Sequence, residues 1–130
     1  MIDHTGFNVT NLELSRAFYL KALAPLGYGI ALELEGAAGF GAREGAGDDP
    51  GGDFWISVGE PQTPRTHVAF RAANEEQVDE FYWAAIEAGG KDNGPPGPRP
   101  HYHEGYYAAF VLDPDGHNIE AVYHGGSRAG

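Results

Sequence analysis

Residues 4–27 and residues 67–90 align without a gap. His4 falls on His67, Phe7 on Phe70, Asn11 on Asn74 and Glu13 on Glu76, and the match runs on through Phe18-Tyr19 on Phe81-Tyr82, Ala22 on Ala85 and Gly27 on Gly90. Average residue usage would give about two identities over such a span; eight are present. A second register, shifted by one residue, lays Asp49-Pro50-Gly51-Gly52 over Asp113-Pro114-Asp115-Gly116. The chain therefore carries two copies of a unit of about 60 residues, and units that short must pack on one another to bury their apolar faces. The 130 residues make one domain of two modules, 1–60 and 65–125.

Within each copy the order of elements is the same. A short strand is expected over about 2–8, then a helix capped by Thr10 or Asn11 and running to about residue 24, with Leu12, Phe18, Tyr19, Ala22 and Leu23 on its apolar side. Pro25 and Gly27 stop it. Three strands follow, at about 28–35, 38–43 and 53–58, with a loop at Gly45–Gly52 between the last two. Residues 60–65 hold two prolines and read as a linker. The second copy opens with a strand at 66–72 and a helix at 75–88 capped by Asn74, in which Val78, Phe81, Tyr82 and Ala85 mark one buried face. Residues 91–105 read as a long loop of the kind that usually has a task. Strands at about 106–112 and 117–123 flank the Asp113-Pro-Asp-Gly116 turn, and the tail from Gly125 is expected to fray.

Charge removes several functions. The net charge is −11 with eight Lys and Arg, so no basic stripe exists to neutralise phosphates or an anionic membrane surface. No run of 18 apolar residues and no basic-then-apolar start is present, so the cytoplasm is the expected location. Without cysteine, any metal must be held by imidazole and carboxylate.

Three positions fit that description. His4 and His67 occupy the same place in the two copies, both on first strands, and Glu120 puts one carboxylate into the otherwise apolar run Asn118-Ile-Glu-Ala-Val122. A buried carboxylate costs several kcal/mol unless it is paired or binds a cation. Two neutral imidazoles and a carboxylate form a facial set that binds Fe(II), Mn(II) or Zn(II) with positions left open for substrate. Taken singly, each histidine is better explained by a structural hydrogen bond and Glu120 by an outward-facing edge; the repeat is what joins them. Through the Asp-Pro-x-Gly register Glu120 corresponds to Ile56, so the first copy offers no fourth ligand.

The pattern His4…Leu12…Ser15-Arg-Ala-Phe-Tyr19…Leu26-Gly27, then His67…Phe81-Tyr82…Gly89-Gly90…Asp113-Pro-Asp-Gly-His-Asn-Ile-Glu120, resembles the vicinal oxygen chelate superfamily of glyoxalases, bleomycin-resistance proteins and extradiol dioxygenases over about residues 2–124. The resemblance implies an α+β fold of two tandem βαβββ modules that form a cup-shaped mixed sheet around a metal, often completed across a homodimer. By position, His4, His67 and Glu120 match the family's ligands for a divalent ion (Fe, Mn, Zn or Ni). Ile56 stands where glyoxalase I has its fourth ligand, so the resemblance points to three-ligand relatives. Of these, the extradiol dioxygenases usually have longer chains. The fosfomycin-modifying enzymes have about this length, but the shortage of Lys and Arg suits a phosphonate poorly.

The function so implied is metal-dependent isomerase, lyase or dioxygenase-type chemistry on a small molecule with adjacent oxygens. Arg99, His101, Tyr102, His103, Tyr106 and Tyr107 cluster in the second copy and can bind substrate or move a proton. His103 and Tyr107 are the candidates for proton transfer, Tyr107 because strand alternation can point it inward. His117 is expected to be structural and His124 exposed, and Phe54 and Trp55 are expected to wall the pocket. The competing function is a cup that sequesters an apolar or aromatic ligand without metal or turnover, suggested by Trp55, Tyr102, Tyr106 and Tyr107. A third is a domain that only assembles with partners.

Overall fold

The computed structural model describes residues 1–43 and 50–125. Most of the expected loop at Gly45–Gly52 and the tail beyond Gly125 lie outside these residues. Strand β1 (Thr5–Val9) leads into helix α1 (Leu12–Leu23), whose first turn is closed by Asn11: the Leu14 amide donates to Asn11 Oδ1 at 3.0 Å. After a single tight turn at Ala24–Leu26 come β2 (Tyr28–Leu34), β3 (Ala37–Ala42) and β4 (Phe54–Val58). The second half repeats the plan with β5 (His67–Arg71) and α2 (Glu75–Glu87), capped in the same way by Asn74, whose Oδ1 accepts from the Gln77 amide at 2.8 Å. Two-residue strands β6 (Lys91–Asp92) and β7 (Gly97–Pro98) precede β8 (Tyr106–Leu112) and β9 (Asn118–His124).

The strands make two sheets. The first has the order β1-β4-β3-β2, with β1 parallel to β4; the second has the order β5-β9-β8-β6, with β5 parallel to β9 and β7 also on β8. β1 and β5 are therefore edge strands. The helices lie against one face of these sheets and touch each other, and one continuous core takes Phe7, Phe54 and Ile56 from the first sheet and Phe70, Val111 and Ile119 from the second. Neither helix covers the other, open face of each sheet, although Ala108, Glu120 and Val122 are buried there.

Two expectations change. β1 begins at Thr5, because its partner β4 begins at Phe54, so His4 precedes the strand instead of lying on it. Residues 91–105 are not wholly a loop: the prolines and glycines forbid one long strand, but the edge of β8 still needs backbone partners, and short segments supply them.

The turn that joins β8 to β9 holds the two halves together. Asp113, buried, accepts from the Tyr19 hydroxyl of α1 at 2.5 Å and from the amides of Asp115 and His117. Asp115 takes the Thr10 hydroxyl (2.6 Å) and amide (3.1 Å). The fully buried His117 accepts the Thr66 amide on Nδ1 and donates Nε2–H to the Asn8 carbonyl, with its ring stacked on Phe7. That is a structural role, as expected from the sequence.

Candidate functional site

Register decides what the open face of the second sheet carries. Glu120 of β9 lies beside Ala69 of β5 and Phe110 of β8, and His67 lies beside Asn118. Residues paired in this way share a face. Ile119 and Ala121 point into the core with Phe70, so His67, Glu120, Phe110 and Tyr106 look the other way.

Glu120 is 2% exposed. The Tyr106 hydroxyl donates to its Oε2, and His67 Nε2 lies 3.1 Å from its Oε1. Burial first, then the bond to Glu120, raises the Tyr106 hydroxyl above its ordinary pKa, so it stays a donor. The ring of His67 is half-exposed and lines a cleft of about 380 Å³ together with Asp3, Thr5, Tyr28, Phe70 and Arg71.

The other nitrogen of His67 fixes the chemistry of this pair. Nδ1 lies 3.0 Å from the Asn118 carbonyl, which can only accept, so Nδ1 carries the proton. In a neutral ring Nε2 then aims a lone pair at a carboxylate oxygen. Two such atoms 3.1 Å apart repel unless a proton or a cation lies with them. Ligands about 2.1 Å from one ion, at right to tetrahedral angles, lie about 3.0–3.4 Å apart. A metal-bound histidine usually donates its far N–H to a carbonyl or carboxylate that fixes the ring's orientation. The pair therefore fits a divalent cation.

The remaining candidates fall elsewhere. His4 is exposed and places Nδ1 2.7 Å from Asp3 Oδ1. Among the described residues no three His, Asp or Glu side chains are gathered so as to hold a metal. His103 donates Nδ1–H to the Glu104 carbonyl (2.8 Å) and sets Nε2 3.0 Å from Nδ1 of His124; both rings abut Tyr106. His124 is thus half-buried in a cluster, not exposed as expected. Tyr107 does not point inward: odd positions of β8 face the helices, and its hydroxyl donates to Asp79 of α2 at 2.8 Å, its pKa pushed up to about 12 by burial and that bond. Tyr106 takes the inward place. The signal was available, since a turn that closes Leu112 on Asn118 pairs even residues with even ones and puts residue 106 on Glu120's face.

Ile56 is also corrected. Gly6 and Ala69 are equivalent in the repeat; Ala69 pairs with Glu120 and Gly6 pairs with Trp55. Trp55, not Ile56, is therefore the counterpart of Glu120, while Ile56 lies in the core. The conserved-looking turn misled by one residue, and a one-residue slip exchanges the faces of a strand. Phe54 is likewise core, not open-face wall, whereas Trp55 is half-buried on the open face.

The family model described as the Glyoxalase/Bleomycin resistance protein/Dioxygenase superfamily matches residues 1–121. A glyoxalase/bleomycin resistance protein from Albidiferax ferrireducens is 31% identical, with 93% of this chain and 96% of that one covered and a TM-score of 0.76. A glyoxalase-related enzyme from Fulvimarina pelagi shares the fold at 19% identity (97% and 95% covered, TM-score 0.70). So does a mutant of the fosfomycin resistance protein FosX from Listeria monocytogenes, complexed with Mn(II) and 1S,2S-dihydroxypropylphosphonic acid, at 21% identity (93% and 87% covered, TM-score 0.66). No curated protein matches the chain.

Proposed function

Because the chain belongs to the glyoxalase/bleomycin resistance protein/dioxygenase superfamily, we propose that it is a small metal-dependent enzyme whose divalent cation is held by His67 and Glu120 of one copy and His4 of a second. The observation that carries this is the His67–Glu120 pair, which needs a positive charge and is short of one ligand. His4 stands two residues before Gly6, which pairs with Trp55, as His67 stands two residues before Ala69, which pairs with Glu120. β1 and β5 are unpaired edges, and an edge left open is a liability that a second copy would cover. Joining β1 of one copy to β5 of another would bring His4 to His67. The protein would then act as a homodimer. The Mn(II) found with FosX belongs to the group of ions (Fe, Mn, Zn, Ni) that an imidazole–carboxylate set accepts.

When bound, the ion supplies a Lewis acid for two adjacent oxygens of a small substrate, as isomerase, lyase or dioxygenase-type chemistry requires. Tyr106 holds the Glu120 carboxylate in place through Oε2, leaving Oε1 beside His67. His103, with Nδ1–H committed to the Glu104 carbonyl, presents Nε2 to Nδ1 of His124, and a proton taken up beside Tyr106 would be shared between these two rings. Tyr107 has no part in this, its hydroxyl being on the helix side.

The test is complementation. Elemental analysis of the wild type should find about one divalent ion per chain, and His4→Ala and Glu120→Ala should each lose it. Mixing the two variants under subunit exchange should restore one site per mixed dimer, since each supplies what the other lacks. A wild type that refuses Mn, Fe, Ni and Zn ends the metal reading, and a mixture that stays empty ends the two-copy arrangement.

A further inference from the structure

Arg99 brings a positive charge to the face that carries the His67–Glu120 pair. Its amide donates to the Tyr106 carbonyl at 2.7 Å, which continues the β7–β8 pairing past Pro98 and sets Arg99 opposite Tyr106. Residues opposed in this way share a face, and the guanidinium lies over the ring of Phe110, 5.4 Å from its centroid. Phe110 is the register partner of Glu120, and its ring centroid is 6.3 Å from that of His67. The charge of Arg99 is felt at the Tyr106 hydroxyl, where it opposes the rise that burial and Glu120 impose.

The guanidinium has a built seat but no counter-ion. Nη1 donates to the Gly97 carbonyl at 2.9 Å and, less well, to that of Pro98 at 3.4 Å, and Nη2 donates to the Pro95 carbonyl at 2.8 Å. A Cβ on Gly94, whose φ is +146°, would lie 3.2 Å from Nη2 and 3.0 Å from Cδ1 of Phe110, so glycine clears the space. All three acceptors are neutral. The chain has 19 Asp and Glu, and Arg16 and Lys21 pair with Glu33 and Glu87, yet no carboxylate of the described residues forms an ion pair with Arg99. Of its five N–H donors, Nε–H and one hydrogen of Nη2 have no partner among the described residues, and the residue is half-buried.

We propose that Arg99 determines specificity: the site takes small acids whose carboxylate, remote from the two oxygens offered to the cation, is held by Arg99 across the Phe110 ring. A carboxylate brings two acceptor oxygens and one charge, which match the two donors and the one charge that are left over. A backbone staple needs the three carbonyl bonds, but it has no use for a cation without a counter-ion. The placement of the adjacent oxygens rests on the proposed metal centre; the carboxylate contact rests on Arg99 alone.

The probes are α-hydroxyadipate and α-hydroxyhexanoate, titrated calorimetrically into protein incubated with Mn(II). Both offer a hydroxyl and a carboxylate oxygen on adjacent carbons, and they differ at the far end, carboxylate against methyl. A net charge of −11 repels a second carboxylate, so a preference for the diacid has to come from a local cation. The wild type should bind the diacid about tenfold more tightly, the scale of a hydrogen bond to a charged group. Arg99→Met should erase the preference by weakening the diacid alone, and Arg99→Lys, which keeps the charge without the fork, should retain at most part of it. An arginine that only staples its loop would instead lower the melting temperature and weaken both acids alike. That result, equal affinities in the Mn(II)-loaded wild type, or a preference undiminished in either variant overturns the proposal and leaves the metal centre standing. A diacid preference in a protein that holds no Mn(II) overturns the metal reading and leaves Arg99 its role; a protein that holds no Mn(II) and binds neither acid overturns both.

Discussion

Glu120 carries a charge into a strand whose neighbours are apolar, and its two oxygens meet different partners. Oε2 has the Tyr106 hydroxyl, which cannot leave without stranding a buried carboxylate oxygen. Oε1 has His67, a partner that attracts it only with a positive charge between them. Tyr106→Phe should therefore lower Mn(II) affinity about 10- to 100-fold, the usual cost of losing a ligand's supporting bond, as read by calorimetric titration. Tyr107→Phe should leave that affinity alone and cost about 1 kcal/mol in urea unfolding through its lost bond to Asp79. Equal effects of the two changes on metal binding would mean that strand parity does not govern the site. His4 and His67 stand out in the sequence because the repeat aligns them, and Glu120 because its neighbours along the strand are apolar. Tyr106 was missed for Tyr107 because adjacent tyrosines look alike until the hairpin's register says which faces the carboxylate.

At the scale of elements, the two copies agree where structure is local and part where it is shared between them. The strands, helices and Asn caps recur because capping and apolar periodicity operate within a few residues. The turn at 113–116 is different. Asp113, Asp115 and His117 reach across to Tyr19, Thr10 and Asn8, so this one turn fastens α1 and β1 to β9. His117→Ala should destabilise the protein by about 2–4 kcal/mol, since it opens a cavity and leaves the Thr66 amide and Asn8 carbonyl without their partner. Urea unfolding measures it, and a loss under about 0.5 kcal/mol, the scale of an ordinary surface change, would contradict the role. His117 could be recognised as structural by its place next to a turn, but its partners, more than a hundred residues away for Asn8, could not.

For the whole molecule, one core unites both sheets and both helices, and burial within it and at its margins raises the phenol pKa of Tyr19, Tyr28, Tyr82, Tyr106 and Tyr107, with carboxylate partners adding to each. In every case the folded protein holds the proton more tightly than the unfolded chain, whose phenols titrate near 10. The stability this contributes is present below about pH 10 and is lost above it as the unfolded chain sheds protons that the native state keeps. The melting temperature should hold up to pH 9 and fall steeply by pH 11, with the 295 nm ionisation of these five of the seven tyrosines delayed until unfolding. A smooth titration of all seven phenols near pH 10 without unfolding would refute it. The amino-acid sequence by itself determined that there are two modules, what each is made of, that no strong basic surface exists, and that two histidines and a carboxylate stand apart from their surroundings. Tertiary structure decided which of them meet: His67 with Glu120 but without His4, Tyr106 in place of Tyr107, Trp55 in place of Ile56. Periodicity is a property of neighbours along the chain, whereas the phase of that periodicity, and hence the face a side chain occupies, is set by a partner strand far away, and a slip of one residue reverses it.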